Sequence, residues 1–266
     1  MWPRSSDRTG ARARDGLPPT IGMHAAASGQ DVYAQRLGAP SRFDVSNGVP
    51  TKGGGRLSPE DCEFLFIGGA GVGGDYLKGF RRAFEAAGIQ NVRVPGESDP
   101  VSKGRLAVDA LSIPMMNDLN FAKSLVGMPQ AQAAARRSRS LGDEQFNLGG
   151  YSYGAAAAAA QAYAVAQEGG KVDNLVLVGA PINADLYGAV RKHPNIRNVI
   201  NVDLDQHGDP IRAGMSDFEL VAALPKVADQ FLQDGHDGHF YYSGVGPEHD
   251  RRRKGLADRL VERGVR

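Results

Sequence analysis

The pentapeptide at residues 150–154, Gly-Tyr-Ser-Tyr-Gly, is the sequence feature that most restricts how this chain can fold. It follows a short segment at residues 145–148 with strand character and precedes an alanine-rich run at residues 155–167. This order predicts a buried strand, a sharp turn and a helix whose small side chains let it lie close to a sheet. Larger side chains beside the turn would collide with the neighbouring backbone, which explains the two glycines.

Short apolar runs alternate with helical patterns along the rest of the chain. Such alternation predicts an α/β fold with a mostly parallel sheet and helices on both faces. The predicted strands are at about residues 64–67, 92–94, 145–148, 175–178 and 198–204, and the predicted helices at about 76–87, 155–167, 185–190, 218–232 and 250–263.

The domain organisation follows from a change in composition near residue 57. Residues 1–57 are rich in Gly, Pro, Ser and Arg and have no sustained hydrophobic period, which predicts a flexible leader outside the core. Residues 58–266 are predicted to form one folded domain. Within it, residues 98–142 are apolar but irregular, and two interpretations remain open: a cap or insertion around a substrate cavity, or ordinary helices that cover the sheet.

The overall composition excludes several classes of protein. Lys and Arg number 31 against 30 Asp and Glu, and a net charge of +1 removes any global electrostatic argument for binding nucleic acid. A single cysteine, Cys62, excludes an intrachain disulfide and a thiolate metal site. No run approaches the roughly 18 apolar residues of a membrane-spanning helix, and the arginines near the N-terminus precede no apolar run typical of a signal peptide. We therefore expect a soluble protein, whose export, if it occurs, uses a route independent of such a signal.

One local basic run leaves a membrane contact open. Residues 251–254 read Arg-Arg-Arg-Lys within the last predicted helix. Such a run either binds anionic lipid at a membrane surface or forms a solvated helix face.

The turn at residues 150–154 points to a nucleophilic serine. It lifts the Ser152 hydroxyl above the sheet edge and puts the backbone N–H of Tyr153 at a helix start, where it can stabilise an oxyanion. A second donor is expected from the glycine-rich loop at residues 68–74, with Ala70 or Gly71 as the candidates.

The same glycine-rich loop also fits a dinucleotide-binding pattern. Gly69, Gly71 and Gly74 satisfy G-x-G-x-x-G between a predicted strand and a predicted helix. The acidic residue that should follow would be Glu97 or Asp99, but a Pro-Gly turn comes first, and the later chain has no Tyr-x-x-x-Lys pair. A nucleotide site would also leave the serine turn unexplained, so no cofactor is expected.

The acid that would orient a catalytic base is sought on a loop after a later strand. Asp209 lies on the polar loop after the strand at residues 198–204, and the chain order Ser, Asp, His suits this fold. Asp203 and Asp205 compete with it. Pro210 restricts Asp209 to an extended conformation, a defined exit from the loop that favours Asp209.

The base is sought among the histidines downstream of the acid. Residues 240–242, Phe-Tyr-Tyr, can anchor the loop beside His239, whereas His236 has no apolar neighbour, so His239 is favoured. The two histidines with the intervening Asp237 could also be read as metal ligands, but no further ligands cluster with them and no metal is expected. His249 is assigned to a solvated helix start.

Four segments together carry a resemblance to a known family. At residues 150–154, 174–181, 198–210 and 239–242 the sequence resembles bacterial lipase-like α/β-hydrolases, especially the hydrolase domains associated with secreted toxins and effectors. In lipases a Gly-Asp-Pro type of turn supplies the acid and a histidine before an aromatic pair supplies the base. The resemblance implies an α/β-hydrolase fold over the catalytic domain, with Ser152 as the nucleophile.

The resemblance also sets the expected activity. The chain departs from many lipases in the loop, where Gly-Gly-Ala-Gly replaces His-Gly, and at Tyr153, where Leu or Met is common. We expect a serine hydrolase that cleaves a small-molecule or lipid carboxylic ester through an acyl-enzyme, as a lipase, an esterase or a phospholipase does. A thioesterase or acyltransferase using the same site, and a non-catalytic binding protein of the same fold, remain open.

Overall fold

A computed structural model describes residues 64–71, 73–98, 103–233 and 237–266 of the 266-residue chain. The predicted leader over residues 1–57 lies outside these ranges, as do Cys62, Asp99 and His236. The predictions about these residues therefore rest on the sequence alone.

Five strands of the described chain form one parallel sheet in the order β2-β1-β3-β4-β5. This confirms the predicted α/β class with a parallel sheet. The strand order reverses next to β1, because the chain moves outward to β2 on one side and to β3 on the other; in such sheets the crevice at the carboxyl ends of the strands is the usual ligand site. The strands are β1 (Phe64–Ile67), β2 (Val92–Arg93), β3 (Asn147–Tyr151), β4 (Val172–Val178) and β5 (Ile196–Val202).

Eight α-helices lie in the described ranges. The elements predicted from the sequence all occur there, with ends displaced by at most three residues. Short 3₁₀ turns at Asp205–His207 and Gly238–Phe240 interrupt the loops after β5 and before the last helix. The helices are α1 (Asp75–Ala86), α2 (Lys103–Asn117), α3 (Leu119–Ser124), α4 (Pro129–Ser140), α5 (Tyr153–Gln167), α6 (Ala184–Lys192), α7 (Asp217–Leu232) and α8 (Pro247–Glu262).

Alternating residues of the strands pack into two separate apolar clusters, one on each face of the sheet. In β4, Leu175 and Leu177 join the cluster around α5, whereas Val176 and Val178 join the cluster that contains residues of α1 and α8. All four side chains are fully buried. Helices therefore cover both faces, as predicted, because a parallel strand is apolar on both sides.

Helix α5 is buried along nearly its whole length. Every residue from Tyr153 to Ala166 is buried, including the six consecutive alanines. Helices α2, α3 and α4 pack against α5 through residues such as Met116 and Phe121, so part of the region 98–142 lies against a helix that itself covers the sheet. Leu111 of the same region is 81% exposed. A cap over a substrate cavity stays a prediction.

No helix in the described part of the chain is both long enough and apolar enough to cross a membrane. The basic residues 251–254 lie on α8, where Arg252 and Lys254 form ion pairs with acidic side chains. The predicted solvated face is wrong for Arg253, which is only 1% exposed and donates to the carbonyl oxygens of Tyr242 and Gly244. Arg252 and Arg253 are thus engaged within the protein, whereas Arg251 and Lys254 are exposed, and a membrane contact stays a prediction.

Candidate active site

Ser152 lies in the turn between β3 and α5 with a backbone φ of 55° and ψ of −126°. A positive φ is strained for a residue with a Cβ atom and is commonly retained at functional sites. The serine occupies the N-cap position of α5, yet its hydroxyl makes no capping bond. Its Oγ instead lies 2.7 Å from Nε2 of His239.

The two glycines of the pentapeptide make this turn sterically possible. A Cβ atom at Gly150 would lie 2.2 Å from the carbonyl carbon and oxygen of Gly154. A Cβ at Gly154 would lie 2.0 Å from the carbonyl oxygen of Ile67 at the end of β1. Both distances are far below van der Waals contact, so close backbone approach requires glycine at both positions.

His239 links the serine to Asp209. Nδ1 of His239 lies 2.9 Å from Oδ2 of Asp209, and both residues are buried. The other carboxylate oxygen of Asp209 accepts a hydrogen bond from the backbone N–H of Ile211 at 2.8 Å. In the neutral tautomer whose Nδ1–H donates a hydrogen bond to Asp209, Nε2 carries no proton. It can then accept a hydrogen bond from the Ser152 hydroxyl.

The two competing aspartates, Asp203 and Asp205, are placed differently. Both oxygens of Asp203 accept hydrogen bonds, from the Asn201 side chain and the Ala213 backbone, and burial raises its pKa above the ordinary value for aspartate. Asp205 is exposed on its 3₁₀ turn. The structure therefore brings together the three residues that the sequence favoured, while His236 lies outside the described ranges.

The glycine-rich loop after β1 is partly committed to other partners. The N–H of Gly71 donates to the buried carboxylate of Asp109 at 2.8 Å, and the N–H of Gly69 donates to the Tyr76 hydroxyl at 3.1 Å. Gly71 is therefore unavailable as an oxyanion donor in this arrangement, because its donor already faces a carboxylate. Ala70 remains as the loop's candidate.

Tyr153, the other donor candidate, is the first residue of α5. Its N–H lies in the first helical turn, where the backbone dipole is positive. The loop after β1 borders the serine closely, since a Cβ atom at Gly69 would lie 3.5 Å from Cβ of Ser152. Tyr153 thus adjoins the serine in the chain, while the loop that carries Ala70 approaches it from the end of β1.

Gly179, directly after β4, is a site residue that the sequence analysis missed. Its φ is 51°, and a Cβ atom there would lie 3.4 Å from Oδ2 of Asp209 and 3.8 Å from Cε1 of His239. The positive φ is what favours glycine here, and the distances show that the chain after β4 runs in contact with the Asp209–His239 pair. The available signal was a glycine at the end of a buried strand, which often marks close approach of another group.

The loop that carries Asp209 and the loop that carries His239 also contact through an aromatic stack. The His207 ring lies 3.6 Å from the Tyr241 ring at an interplanar angle of 10°. The guanidinium of Arg252 also lies over Tyr241, 4.1 Å from the ring centroid. Burial, and then the nearby charges of Arg252 and Arg259, lower the pKa of His207.

Two other interpretations, a metal site at the histidine loop and a dinucleotide site at the glycine-rich loop, find little support among the described residues. No group of three His, Cys, Asp or Glu side chains within the described ranges is arranged to hold a metal ion, and Asp237 pairs with Arg252. A dinucleotide phosphate in the glycine-rich loop would meet the carboxylate of Asp109, which already occupies the Gly71 N–H. Like charges there disfavour a bound phosphate.

No protein-family model matches this sequence, and no significant match is found among curated proteins. The resemblance to lipase-like hydrolases therefore stays a prediction from the motifs. Function has to be inferred from the geometry of Ser152, His239 and Asp209.

Proposed function

We propose that this protein is a serine hydrolase of the α/β-hydrolase fold that cleaves a carboxylic ester through an acyl-enzyme. The observation that carries the proposal is the hydrogen-bonded chain from Asp209 through His239 to Ser152, with the serine on a strained strand-to-helix turn. A serine is a weak nucleophile unless an adjacent base can take its proton, and this arrangement supplies that base.

The position of the three residues in the fold supports the same class. Ser152 directly follows β3, Asp209 lies on the loop after β5, and His239 lies on the loop between α7 and α8. This chain order of Ser, Asp and His is typical of α/β-hydrolases. The serine also lies at the carboxyl edge of the sheet beside the point where the strand order reverses.

In the acylation step, Nε2 of His239 accepts the Ser152 hydroxyl proton as Oγ attacks the ester carbonyl carbon. Asp209 orients the imidazole and stabilises the imidazolium that forms. The carbonyl oxygen becomes an oxyanion next to the backbone N–H groups of Tyr153 and Ala70. When the intermediate collapses, the carbon–oxygen bond to the alcohol breaks and the imidazolium gives its proton to the leaving alcohol.

Hydrolysis of the acyl-enzyme repeats these steps with water. His239 takes a proton from the water as its oxygen attacks the acyl carbon, and the Ser152 Oγ leaves with the proton returned by the imidazolium. The products are the carboxylic acid and the regenerated serine.

The surface beside the base favours a substrate with an apolar acyl part. The Phe240 ring lies 5.4 Å from the His239 ring and 5.5 Å from the Phe231 ring of α7. Phe231 is half exposed, and α7 displays further exposed apolar residues on its outer surface. An apolar acyl chain would gain free energy by burying its surface against these rings.

A fluorophosphonate probe tests the proposal, because it labels a serine only where a neighbouring base activates it. We expect rapid labelling of the native protein, none of Ser152→Ala, and undiminished labelling of Ser140→Ala, whose serine is exposed on α4. Hydrolysis of p-nitrophenyl esters should fall roughly 10⁴-fold or more in Ser152→Ala.

Failure to label the folded native protein would reject a serine hydrolase in favour of a non-catalytic binding protein. If the probe labels Ser152 but acyl thioesters are cleaved faster than matched oxygen esters, the substrate class would be reassigned to thioesters. Acyl transfer to an added alcohol in preference to water would reassign the reaction to an acyltransferase.

A further inference from the structure

The side chain of Gln230, on α7, touches both loops that carry the proposed acid and base. Its Oε1 accepts a hydrogen bond from the backbone N–H of His239 at 2.9 Å. Its Nε2 donates to the backbone carbonyl oxygen of Gly208, the residue before Asp209, at 2.9 Å. One amide group therefore ties the base and the acid loop to the same helix.

This pattern requires a side chain that accepts and donates at once. A glutamine amide does both, whereas an ionised glutamate only accepts and an alanine does neither. Gly238 fits against the same amide: its φ is 61°, and a Cβ atom there would lie 2.3 Å from Nε2 of Gln230. The backbone just before His239 is thus shaped to the Gln230 side chain.

Among the described residues α7 buries only a small apolar cluster, so we expect the Gln230 amide to matter for the position of the helix. Leu220 and Ala223 of the helix pack with Ile211 in a small buried cluster, against which Met215 and Val227 also pack. Beyond this, Phe231 contacts Phe240. Without the amide, the backbone N–H of His239 would lose its acceptor, and the spacing between the two loops would depend on the His239–Asp209 pair and on ring contacts.

We propose that Gln230 is a positioning residue that fixes the backbone of His239 relative to Asp209 and so keeps the imidazole aligned with Ser152. This inference rests on the proposed function for its effect on turnover. Its structural content, the alignment of the Asp209–His239 pair, is independent of whether any substrate is cleaved. A misplacement of about 1 Å in a catalytic group can lower the rate roughly 100-fold.

The test compares Gln230→Ala, Gln230→Glu and the control Gln233→Ala in the full chain. Gln233 lies just after the same helix, and its exposed amide donates to the carboxylate of Asp229 on that helix rather than to Gly208 or His239. We expect kcat for a p-nitrophenyl ester to fall roughly 100-fold in Gln230→Ala and roughly 10-fold in Gln230→Glu, with KM changed by less than about twofold. Gln233→Ala should match the native protein in both constants.

A second readout is the low-field proton resonance of the His239 Nδ1–H that is hydrogen bonded to Asp209. It is recorded in the Ser152→Ala background, where turnover plays no part. We expect a sharp resonance with Gln230 or with the Gln233→Ala change, and a broadened or lost one in Gln230→Ala. Melting temperatures measured alongside separate misalignment from unfolding, and Gln230→Glu supplies the comparison if Gln230→Ala does not fold.

The two readouts distinguish the two proposals. If the native protein cleaves no ester but Gln230→Ala still loses the low-field resonance, the positioning role stands and the proposed hydrolase activity falls. If the resonance is missing in Ser152→Ala with Gln230 intact, or persists unchanged when Gln230 is replaced in folded variants that keep native kcat, the positioning role is overturned.

Discussion

The buried hydroxyl of Tyr151 donates a hydrogen bond to the backbone carbonyl oxygen of His239. The two rings are also stacked, with centroids 6.1 Å apart. Because Tyr151 directly precedes Ser152, the last residue of β3 holds the backbone of His239, the proposed base, next to the serine. Burial raises the pKa of Tyr151 well above its ordinary value, so the phenol stays protonated and remains a donor.

Replacing Tyr151 with Phe should therefore remove this bond while keeping the ring. The His239 carbonyl would be left buried without its donor, which we expect to lower the free energy of unfolding by about 1–3 kcal/mol. Urea denaturation measures the change. Tyr163→Phe is the control, since the Tyr163 hydroxyl accepts from Gln167 near the end of α5, away from the site; a Tyr151→Phe protein as stable and as active as this control would contradict the role.

Asp209→Asn tests the acid. An asparagine can still accept from the Ile211 N–H, but its amide can donate to His239 and so favours the wrong imidazole tautomer. We expect kcat to fall by about 10⁴-fold with the fold preserved. Asp205→Asn, on the exposed 3₁₀ turn of the same loop, should retain native turnover, and an equal loss in both variants would remove Asp209 from its assigned role.

Gly154→Ala tests the geometry of the serine turn. The added methyl would lie 2.0 Å from the Ile67 carbonyl oxygen. Because this atom belongs to the backbone of β1, relieving the clash requires the strand or the helix to shift. The loss of stability should exceed the roughly 1–3 kcal/mol of an ordinary overpacked core. Gly188→Ala in α6 is the matched control: no atom lies within 4 Å of its added Cβ, so it should gain roughly 0.5–1 kcal/mol. Thermal melts of the two variants shifting in the same direction would refute this account.

His207 should make stability depend on pH. Its pKa is lowered in the folded protein from the ordinary 6.5, so the unfolded chain binds more protons as the pH falls. Stability is therefore present above about pH 6.5 and is lost as the pH drops toward the folded value. Burial is the main cause; Arg252 and Arg259 add to it, and Asp205 and Asp237 oppose it.

The measurement is the melting temperature of native protein and His207→Phe across this range. Phenylalanine keeps the stack on Tyr241 and carries no proton, so the variant should lose less stability than the native protein as the pH is lowered from about 7 to about 5. Parallel curves for the two proteins would show that His207 contributes nothing to the pH dependence.

The parts of the site that local sterics determine could be predicted from the sequence. The Gly-x-Ser-x-Gly turn lies between a strand pattern and a helix pattern, Pro210 restricts Asp209, and an aromatic run follows His239, so all three residues could be chosen from nearby sequence. Long-range packing decided the rest. The Gly71 N–H meets Asp109, 38 residues away, and Gln230 looks like any polar residue of an amphipathic helix until α7 is packed beside both loops.

Arg253 shows the same limit for the fold. In sequence it belongs to a basic run, and its burial depends on Gly79 of α1, where a Cβ atom would lie 2.5 Å from the Arg253 Nε. The missing side chain on one helix makes the space for a guanidinium from another. Such complementarity between distant segments leaves no periodic signal in either one.

The separation of Ser152 and His239 by 87 residues has a consequence for the chain during its synthesis. At roughly 5–20 residues per second, translation takes about 4–17 s to pass from the serine to the histidine. Arg253, which holds the carbonyls of Tyr242 and Gly244 just after the base, is made later still. A nascent chain thus carries Ser152 for seconds before the residue proposed as its base is made, so the proposed chemistry has to wait for a segment synthesised long after the serine turn.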